Sequence, residues 1–173
     1  PGLPLSARPD VLSFETEPLM EDVAVVGPIT VELYVSSDAP DTDFTAKLID
    51  VYPPSKDYPT GYALNITDGI IRCRYRKSFE RPEPIVAGEV FKVTIEPFAT
   101  ANLFAKGHRI RLDISSSNFP KYDVNPNTYA PEGRGRTTQI ARNTVFCDAA
   151  RPSAIRLPIV GAEAMVTLKP IKK

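Results

Sequence analysis

Apolar and polar residues alternate at every second position along much of this chain. Val31, Leu33 and Val35 are separated by Glu, Tyr and other side chains of a different character, and Ile110 and Leu112 are separated by arginine in the same way. A period of two is typical of a β-strand with one face in the core and the other toward solvent. The pattern therefore predicts half-buried strands rather than helices.

The same pattern, applied along the chain, predicts short strands at residues 11–14, 23–27, 28–38, 43–52, 62–66, 69–76, 89–98, 109–116, 143–148, 153–160 and 164–168. No helix-sized period lies between them, and 18 prolines against nine glycines indicate ordered turns. The expected fold class is all-β. So many strands, with a long connection from Asn118 to Arg136, favour a jelly-roll β-sandwich.

Length and charge limit the classes of function. A chain of 173 residues with 42% hydrophobic content can form one domain, 1–173, with a real core. Its 21 basic and 21 acidic residues give no basic footprint, so we expect no nucleic-acid partner. It has no apolar run of membrane-spanning length and no signal-peptide pattern, which predicts a soluble protein without a membrane partner. The missing initiator methionine suggests a processed chain or a piece of a longer one.

The two cysteines, Cys73 and Cys147, lie in different predicted strands. A domain of this size does not need a disulfide, so we expect free, buried thiols in a reducing compartment such as the cytoplasm. The sequence suggests no cofactor.

The stretch "GHRIRLDISSSNFPKYDVNPN" holds the only histidine of the chain, His108, and three consecutive serines. His108 and Ser115 lie at the two ends of one strand, about 23 Å apart at the usual rise, and cannot act on each other. The chain also lacks a Gly-x-Ser-x-Gly nucleophile elbow. We therefore expect no catalytic residue in this chain.

Charged residues raise two further possibilities. Asp38, Asp41 and Asp43 could offer oxygen ligands to Ca²⁺, but they lack the EF-hand pattern, so a loop with solvated or arginine-paired carboxylates is the better interpretation and no metal is expected. Several acidic and basic residues lie on strands that a jelly roll can bring together, which predicts at least one close Asp–Arg pair. The candidates are Asp43, Asp50, Arg72, Arg74, Arg109 and Arg111. Arg72, Arg74 and Arg76 are expected to lie on one face of a strand.

Aromatic residues in loops give an alternative class of function. Exposed tyrosines can stack on sugars, and five of the seven tyrosines lie in or beside predicted loops, at Tyr52, Tyr58, Tyr62, Tyr122 and Tyr129. The chain has no tryptophan, the best stacking surface. A stand-alone carbohydrate-binding jelly roll therefore remains the alternative interpretation.

Several blocks occur in the order seen in a known family: "PDVLSFETEPLMEDVAVVGPITVELYVSSDAPDTDFTAKLIDVYP", "DGIIRCRYR", "AGEVFKVTIEPFATANLFAKGHRIRLDISSSNFPKYDVNPNT" and "NTVFCDAARPSAIRLPIV". From residue 9 to about 160 the chain resembles the C-terminal non-catalytic domain of X-prolyl dipeptidyl-peptidases and cocaine-esterase-like (CocE/NonD) hydrolases. The residues after Val160 lie outside the resemblance.

This resemblance implies a galactose-binding-like jelly roll that follows an α/β-hydrolase domain carrying the serine, aspartate and histidine. The chain is then an accessory domain of a serine hydrolase, with that catalytic domain as its partner and a homo-oligomer left open. No position matches the family's catalytic motifs. The hallmark loop after the His108 strand is the candidate interdomain or binding surface, with Asn118, Phe119, Pro120, Tyr122, Asn125 and Asn127 as its residues.

Overall fold

The computed structural model describes residues 4–131, 137–161 and 168–171. Two single-turn 3-10 helices, Leu5–Ala7 and Cys73–Tyr75, accompany the strands. The strands are β1 (Leu12–Glu15), β2 (Val23–Gly27), β3 (Thr30–Ser37), β4 (Asp43–Tyr52), β5 (Tyr62–Arg72), β6 (Phe91–Ile95), β7 (Thr100–Phe104), β8 (Arg109–Ser115), β9 (Asn143–Asp148), β10 (Arg151–Pro152), β11 (Ala154–Arg156) and β12 (Lys169–Pro170). The prediction of an all-β fold is confirmed.

The strands form two main antiparallel sheets and a two-stranded ribbon. The first sheet has the order β12-β1-β8-β4-β5. The second has the order β10-β9-β3-β11, with β6 pairing with β3, and β2 pairs with β7 in the ribbon. Apart from β4 and β5, which form a hairpin, neighbours in the first sheet are far apart in sequence, as the long connections of a jelly-roll sandwich require.

The core lies between the sheets. Val31, Leu33 and Val35 of β3 point inward and meet Leu112 and Ile114 of β8, in agreement with the alternation in the sequence. A second apolar cluster joins the ribbon to this core and consists of Val25, Ile29, Leu48, Phe104 and Ile110. β3 therefore buries one face, as a strand of a sandwich does, whereas β4 is buried on both faces along most of its length.

Some elements differ from the predictions. The two strands expected at 62–66 and 69–76 form one strand, β5, which runs through Thr67, Asp68 and Gly69 and ends at Arg72. Gly69 fits there because an added Cβ would lie 3.0 Å from the backbone of Pro97. β7 was not predicted, since Thr-Ala-Asn-Leu-Phe shows little alternation of polarity.

The cysteines agree only in part with the predictions, and the last predicted strand is described at one residue only. Both cysteines are free thiols, but only Cys73 is buried; Cys147 is exposed because β9 is nearly at the edge of its sheet. The strand expected at 164–168 lies, except for Leu168, outside the described residues. In the described ranges no helix is long and apolar enough to cross a membrane.

Candidate binding surfaces

The loop that follows β8 is anchored to β5 by Asp68. This buried carboxylate accepts hydrogen bonds from Asn118 Nδ2 at 3.2 Å and from Asn65 Nδ2 at 3.3 Å. It also forms a salt bridge with the ammonium group of Lys121. Three donors from two segments therefore converge on one carboxylate, which fixes the start of the loop.

This anchor changes the pKa values of its charged groups. Burial alone would raise the pKa of Asp68, but hydrogen bonds from Lys121 and Asn118 and the charge of Lys121 outweigh burial and lower it. The hydrogen bond to Asp68 in turn raises the pKa of Lys121. Both groups are therefore held in their charged forms at neutral pH.

Aromatic rings surround Lys121. Its Nζ lies 5.3 Å from the ring centroid of Phe98 and 5.5 Å from that of Tyr122, within the range of cation–π attraction. Phe98 is 70% exposed and Phe119 is 69% exposed. We call the group Phe98, Phe119, Pro120, Lys121 and Tyr122 the Phe119 surface. It is an exposed aromatic patch that is held by an ion pair in which Asp68 is buried and Lys121 is 47% exposed.

A second anchor holds the later part of the loop through Asn125. The Nδ2 atom of Asn125 donates to Asp41 Oδ2 at 3.1 Å and to Asp43 Oδ1 at 2.7 Å. Each carboxylate also binds an arginine: Arg74 Nε lies 2.7 Å from Asp41, and Arg72 Nε lies 3.0 Å from Asp43. Asn125, both aspartates and Arg74 are buried. We call these five residues the charge cluster.

The charge cluster also fixes the end of the loop. Arg74 Nη1 donates to the carbonyl oxygen of Ala130 at 3.0 Å, and its guanidinium lies 4.7 Å from the ring of Tyr129. The hydroxyl of Tyr129 donates to the carbonyl oxygen of Pro82 at 2.8 Å. Asn127 and Tyr129 have positive φ angles of 63° and 54°, which bulky residues rarely adopt. The contacts of the cluster thus hold an uncommon backbone path.

Burial raises the pKa of two ionisable groups in and beside the charge cluster. It raises the pKa of Asp43, and hydrogen bonds from Arg72 and Asn125 offset only part of that effect. Burial also raises the pKa of the Cys73 thiol, and the charges of Asp41 and Asp43 add to it. Cys73 is therefore an unreactive, protonated thiol of the core.

Not every residue predicted for the loop surface lies on it. Asn125 is buried, so its assignment to an interdomain surface is wrong, because its amide serves two buried carboxylates. Asn125 Oδ1 also accepts from the backbone N–H of Asn127 at 2.9 Å, and Asn127 exchanges two hydrogen bonds with Gln139. These two asparagines position the loop, whereas Phe119, Pro120 and Tyr122 belong to the Phe119 surface.

The residues considered for charge pairs have diverse partners. Arg72 and Arg74 meet aspartates. The three arginines expected on one strand face do not share a strand, because β5 ends at Arg72, Arg74 lies in the 3-10 helix Cys73–Tyr75 and Arg76 follows that helix. Arg111 Nε is 3.2 Å from Asp113 Oδ1, although the angle does not make a hydrogen bond. Arg109 donates to the carbonyl oxygen of Thr16 at 2.8 Å.

The aspartates considered as calcium ligands are separated by their other partners. Asp38 Oδ1 accepts from the backbone N–H of Arg142 at 2.7 Å, while Asp41 and Asp43 bind the arginines and Asn125. In the ranges that the structure describes, no group of three or more His, Cys, Asp or Glu side chains is arranged to hold a metal ion.

Asp50 pairs with His108 rather than with an arginine. Asp50 Oδ1 lies 2.8 Å from His108 Nδ1, and Asp50 is completely buried. When the Asp50 carboxylate is ionised it only accepts, so Nδ1 donates this hydrogen bond and, in a neutral ring, Nε2 is left as the acceptor. Ser115, at the other end of β8, instead bonds to Thr45 at 2.7 Å. Among the described residues the imidazole hydrogen-bonds to Asp50 and to no serine.

Three tyrosines extend from His108 across the end of the β4–β5 hairpin. The ring centroid of Tyr52 is 4.2 Å from that of His108 and 6.2 Å from that of Tyr62, and the Tyr62 and Tyr58 centroids are 5.0 Å apart. We call Tyr52, Tyr58, Tyr62 and His108 the tyrosine patch. The sequence analysis considered the tyrosines one by one and did not predict that they lie together. A β4–β5 hairpin would have indicated it, because Tyr52 and Tyr62 pair across that hairpin.

Comparisons with known proteins agree with this architecture. Residues 4–156 match the model of the family described as the X-Pro dipeptidyl-peptidase C-terminal non-catalytic domain. Cocaine esterase of Rhodococcus sp. (strain MB1 Bresler) is 45% identical over 159 residues, which cover 91% of this chain and 27% of that protein.

Two solved structures share the fold closely. An alpha-amino acid ester hydrolase superposes with a TM-score of 0.84 at 37% identity, over 90% of this chain and 26% of that one. An aminopeptidase from a marine sediment archaeon, Thaumarchaeota archaeon, gives 0.84 at 34% identity, over 90% and 27%. The chain thus spans about a quarter of the length of these relatives.

Proposed function

Because this chain belongs to the X-Pro dipeptidyl-peptidase C-terminal non-catalytic domain family, we propose that it is the accessory domain of a larger serine hydrolase. It packs on an α/β-hydrolase catalytic domain of the same protein and helps to shape the substrate cleft. The parent enzyme cleaves an ester or a peptide bond, since relatives that carry a similar domain are named esterase, ester hydrolase and aminopeptidase. The domain itself contributes no catalytic group.

The observation that supports a contact surface is the exposure of Phe98 and Phe119 beside a fixed cation. Interface cores are enriched in aromatic residues, and exposed apolar patches rimmed by polar groups mark sites of protein contact. Lys121 and Asp68 hold the patch in place before binding. Less side-chain entropy is then lost on association, at about 0.5–1.5 kcal/mol for each side chain already immobilised.

The experiment supplies the catalytic portion of the parent hydrolase in trans and measures its association with this chain by calorimetry. We expect Phe119→Ala, Tyr122→Ala and Phe98→Ala each to weaken binding by about tenfold, since hot-spot truncations cost more than about 1 kcal/mol. The matched control is Phe79→Ala, because Phe79 is 81% exposed and stacks on Tyr75, outside the Phe119 surface. Unchanged affinity in all three variants would refute the Phe119 surface as the contact site, while failure of the unsubstituted chain to bind at all would refute the packing itself.

A further inference from the structure

The tyrosine patch is separate from the Phe119 surface. Tyr62 begins β5 and Asp68, which anchors the Phe119 surface, lies six residues further along the strand. That separation is about 20 Å at the rise of an extended strand. Packing of a catalytic domain on the Phe119 surface therefore does not account for the exposed rings of the tyrosine patch.

The patch is exposed and its side chains are amphipathic. Tyr52, Tyr58 and Tyr62 are 37%, 53% and 45% exposed. Apart from His108 Nδ1, which is bonded to Asp50, the polar atoms of its four side chains are three phenolic hydroxyls and the imidazole Nε2, all uncharged when the ring is neutral. Such a surface offers ring faces together with neutral donors and acceptors, whereas the Phe119 surface offers phenylalanine faces and a cation.

The rings are arranged as facets rather than as one plane. The interplanar angles are 48° between Tyr52 and His108, 65° between Tyr52 and Tyr62, and 40° between Tyr62 and Tyr58. A flat protein surface cannot lie against all of these faces at once. A chain of linked pyranose rings can, because each ring turns relative to the next and presents C–H groups to an aromatic face and hydroxyls at its edge.

The site is also built in advance. Tyr58 is fixed by hydrogen bonds on both sides: its N–H donates to Ser55 Oγ at 3.1 Å, and its carbonyl oxygen accepts from the N–H groups of Ser55 and Gly61, each at 2.9 Å. Gly61 has φ of +79°, and a Cβ there would lie 2.6 Å from the carbonyl oxygen of Tyr52. This glycine lets the chain turn closely enough to place Tyr62 beside Tyr52.

A buried carboxylate holds the imidazole. Asp50 is completely buried and its Oδ2 atom has no hydrogen-bond partner in the described part of the chain, so the bond to His108 Nδ1 is the one polar contact of its side chain there. That bond keeps the proton on Nδ1 and directs Nε2 to act as an acceptor. Asp50 is thus a positioning residue for His108.

From this geometry we propose that the tyrosine patch is a carbohydrate-binding site that takes a short run of an oligosaccharide chain. Ring faces of Tyr52, Tyr58 and Tyr62 stack on successive sugar rings, and His108 Nε2 accepts a hydrogen bond from a sugar hydroxyl. The site is independent of the packing of this domain on a catalytic domain.

The test is a titration of the 173-residue chain with cellohexaose, xylohexaose and maltohexaose. Because the chain has seven tyrosines and no tryptophan, tyrosine fluorescence reports directly on such binding. We expect at least one of the three oligosaccharides to bind, and Tyr52→Ala, Tyr58→Ala and Tyr62→Ala each to weaken that binding by about tenfold or more. Tyr122→Ala, a tyrosine of the Phe119 surface, is the matched control and should leave it unchanged.

A second measurement tests the role of the histidine. The ¹⁵N chemical shifts of the imidazole should show the Nδ1–H tautomer in the unsubstituted chain and lose that preference in Asp50→Asn. His108→Gln, whose amide oxygen can still accept, should bind more tightly than His108→Ala. The proposal is overturned if none of the three oligosaccharides changes the tyrosine fluorescence. It is also overturned if the tyrosine variants associate more weakly with the catalytic portion, because the tyrosine patch would then be an interdomain contact.

Discussion

Replacing Asn125 by alanine removes the amide that bridges the two buried carboxylates of the charge cluster. The substitution deletes hydrogen bonds of 3.1 Å to Asp41 and 2.7 Å to Asp43, together with the 2.9 Å bond that Asn125 accepts from Asn127. A hydrogen bond to a charged group contributes about 1.5–3 kcal/mol. Asp41 and Asp43 keep their arginines, so the two losses are not fully additive and we expect the free energy of unfolding to fall by about 3 kcal/mol.

The effect should depend on pH with a defined sign. Burial raises the pKa of Asp43 in the folded chain, while Asn125 donates to its ionised form and opposes that rise. A raised folded pKa contributes stability that is fully present below the unfolded pKa and is lost as the pH rises through the folded value. Asn125→Ala raises that pKa further, so its penalty should be largest at neutral pH and shrink as the pH falls through the raised pKa of Asp43 and Asp43 becomes protonated.

Urea denaturation at several pH values measures this penalty as a shift in midpoint at constant slope. For a chain of this size, about 3 kcal/mol corresponds to a decrease in Tm of roughly 6–12 °C. Asn65→Ala is the matched control: Asn65 is exposed, and its one 3.3 Å hydrogen bond goes to Asp68, which keeps Asn118 and Lys121, so we expect a loss of about 1 kcal/mol or less. A penalty below 1 kcal/mol, or one that grows toward acidic pH, would refute this account of the cluster.

Two other predictions concern activity and the hairpin. The isolated chain should hydrolyse neither a p-nitrophenyl ester nor an X-Pro dipeptide anilide above background, because His108 hydrogen-bonds to Asp50 and to no serine in the described ranges; turnover that disappears in His108→Ala would contradict this. Gly61→Ala should destabilise the β4–β5 hairpin by more than about 1 kcal/mol in thermal unfolding, since its φ is +79° and the new Cβ would meet the Tyr52 carbonyl oxygen. Gly88→Ala, with a similar φ of +78° and open space around it, is the control that separates the clash from the backbone effect.

The β-sandwich could be predicted from the sequence because the alternation that marks a half-buried strand lies within a few consecutive residues. A strand such as β3 shows its buried face directly, as Val31, Leu33 and Val35 recur at every second position. The blocks shared with a known family implied that the sandwich is a jelly roll. The end of β5 was not predicted, because Arg72, Cys73 and Arg74 continue the alternation, and the turn at Cys73 depends on bonds to Asp41 and Thr42 from another part of the chain.

The candidate surfaces depended on contacts that no spacing reveals. Asn125 looked like a loop residue free to bind a partner, since asparagine is common in exposed loops. Its burial follows from two carboxylates more than eighty residues earlier in the chain. Asp50 was a candidate for pairing with an arginine, yet the regular pairing of β4 with β8 places it opposite Ile110 on the core side, within reach of His108. Tertiary partners therefore decided the role of each polar residue.

The charge cluster and the Asp68 anchor together explain how one polar loop can present apolar side chains reliably. Buried ion pairs add little net stability to a fold, because desolvation of the charges offsets their attraction. Their contribution here is to specify one path: Asp68 holds the segment at Asn118 and Lys121, and Arg74 holds it again at Ala130. Between those points Phe119 stays exposed at 69%, which solvent alone does not favour. A loop fixed at both ends with an exposed phenylalanine between them is suited to contact with a partner domain. The same anchors explain why the amide of Asn125 faces the fold while Phe119 faces outward.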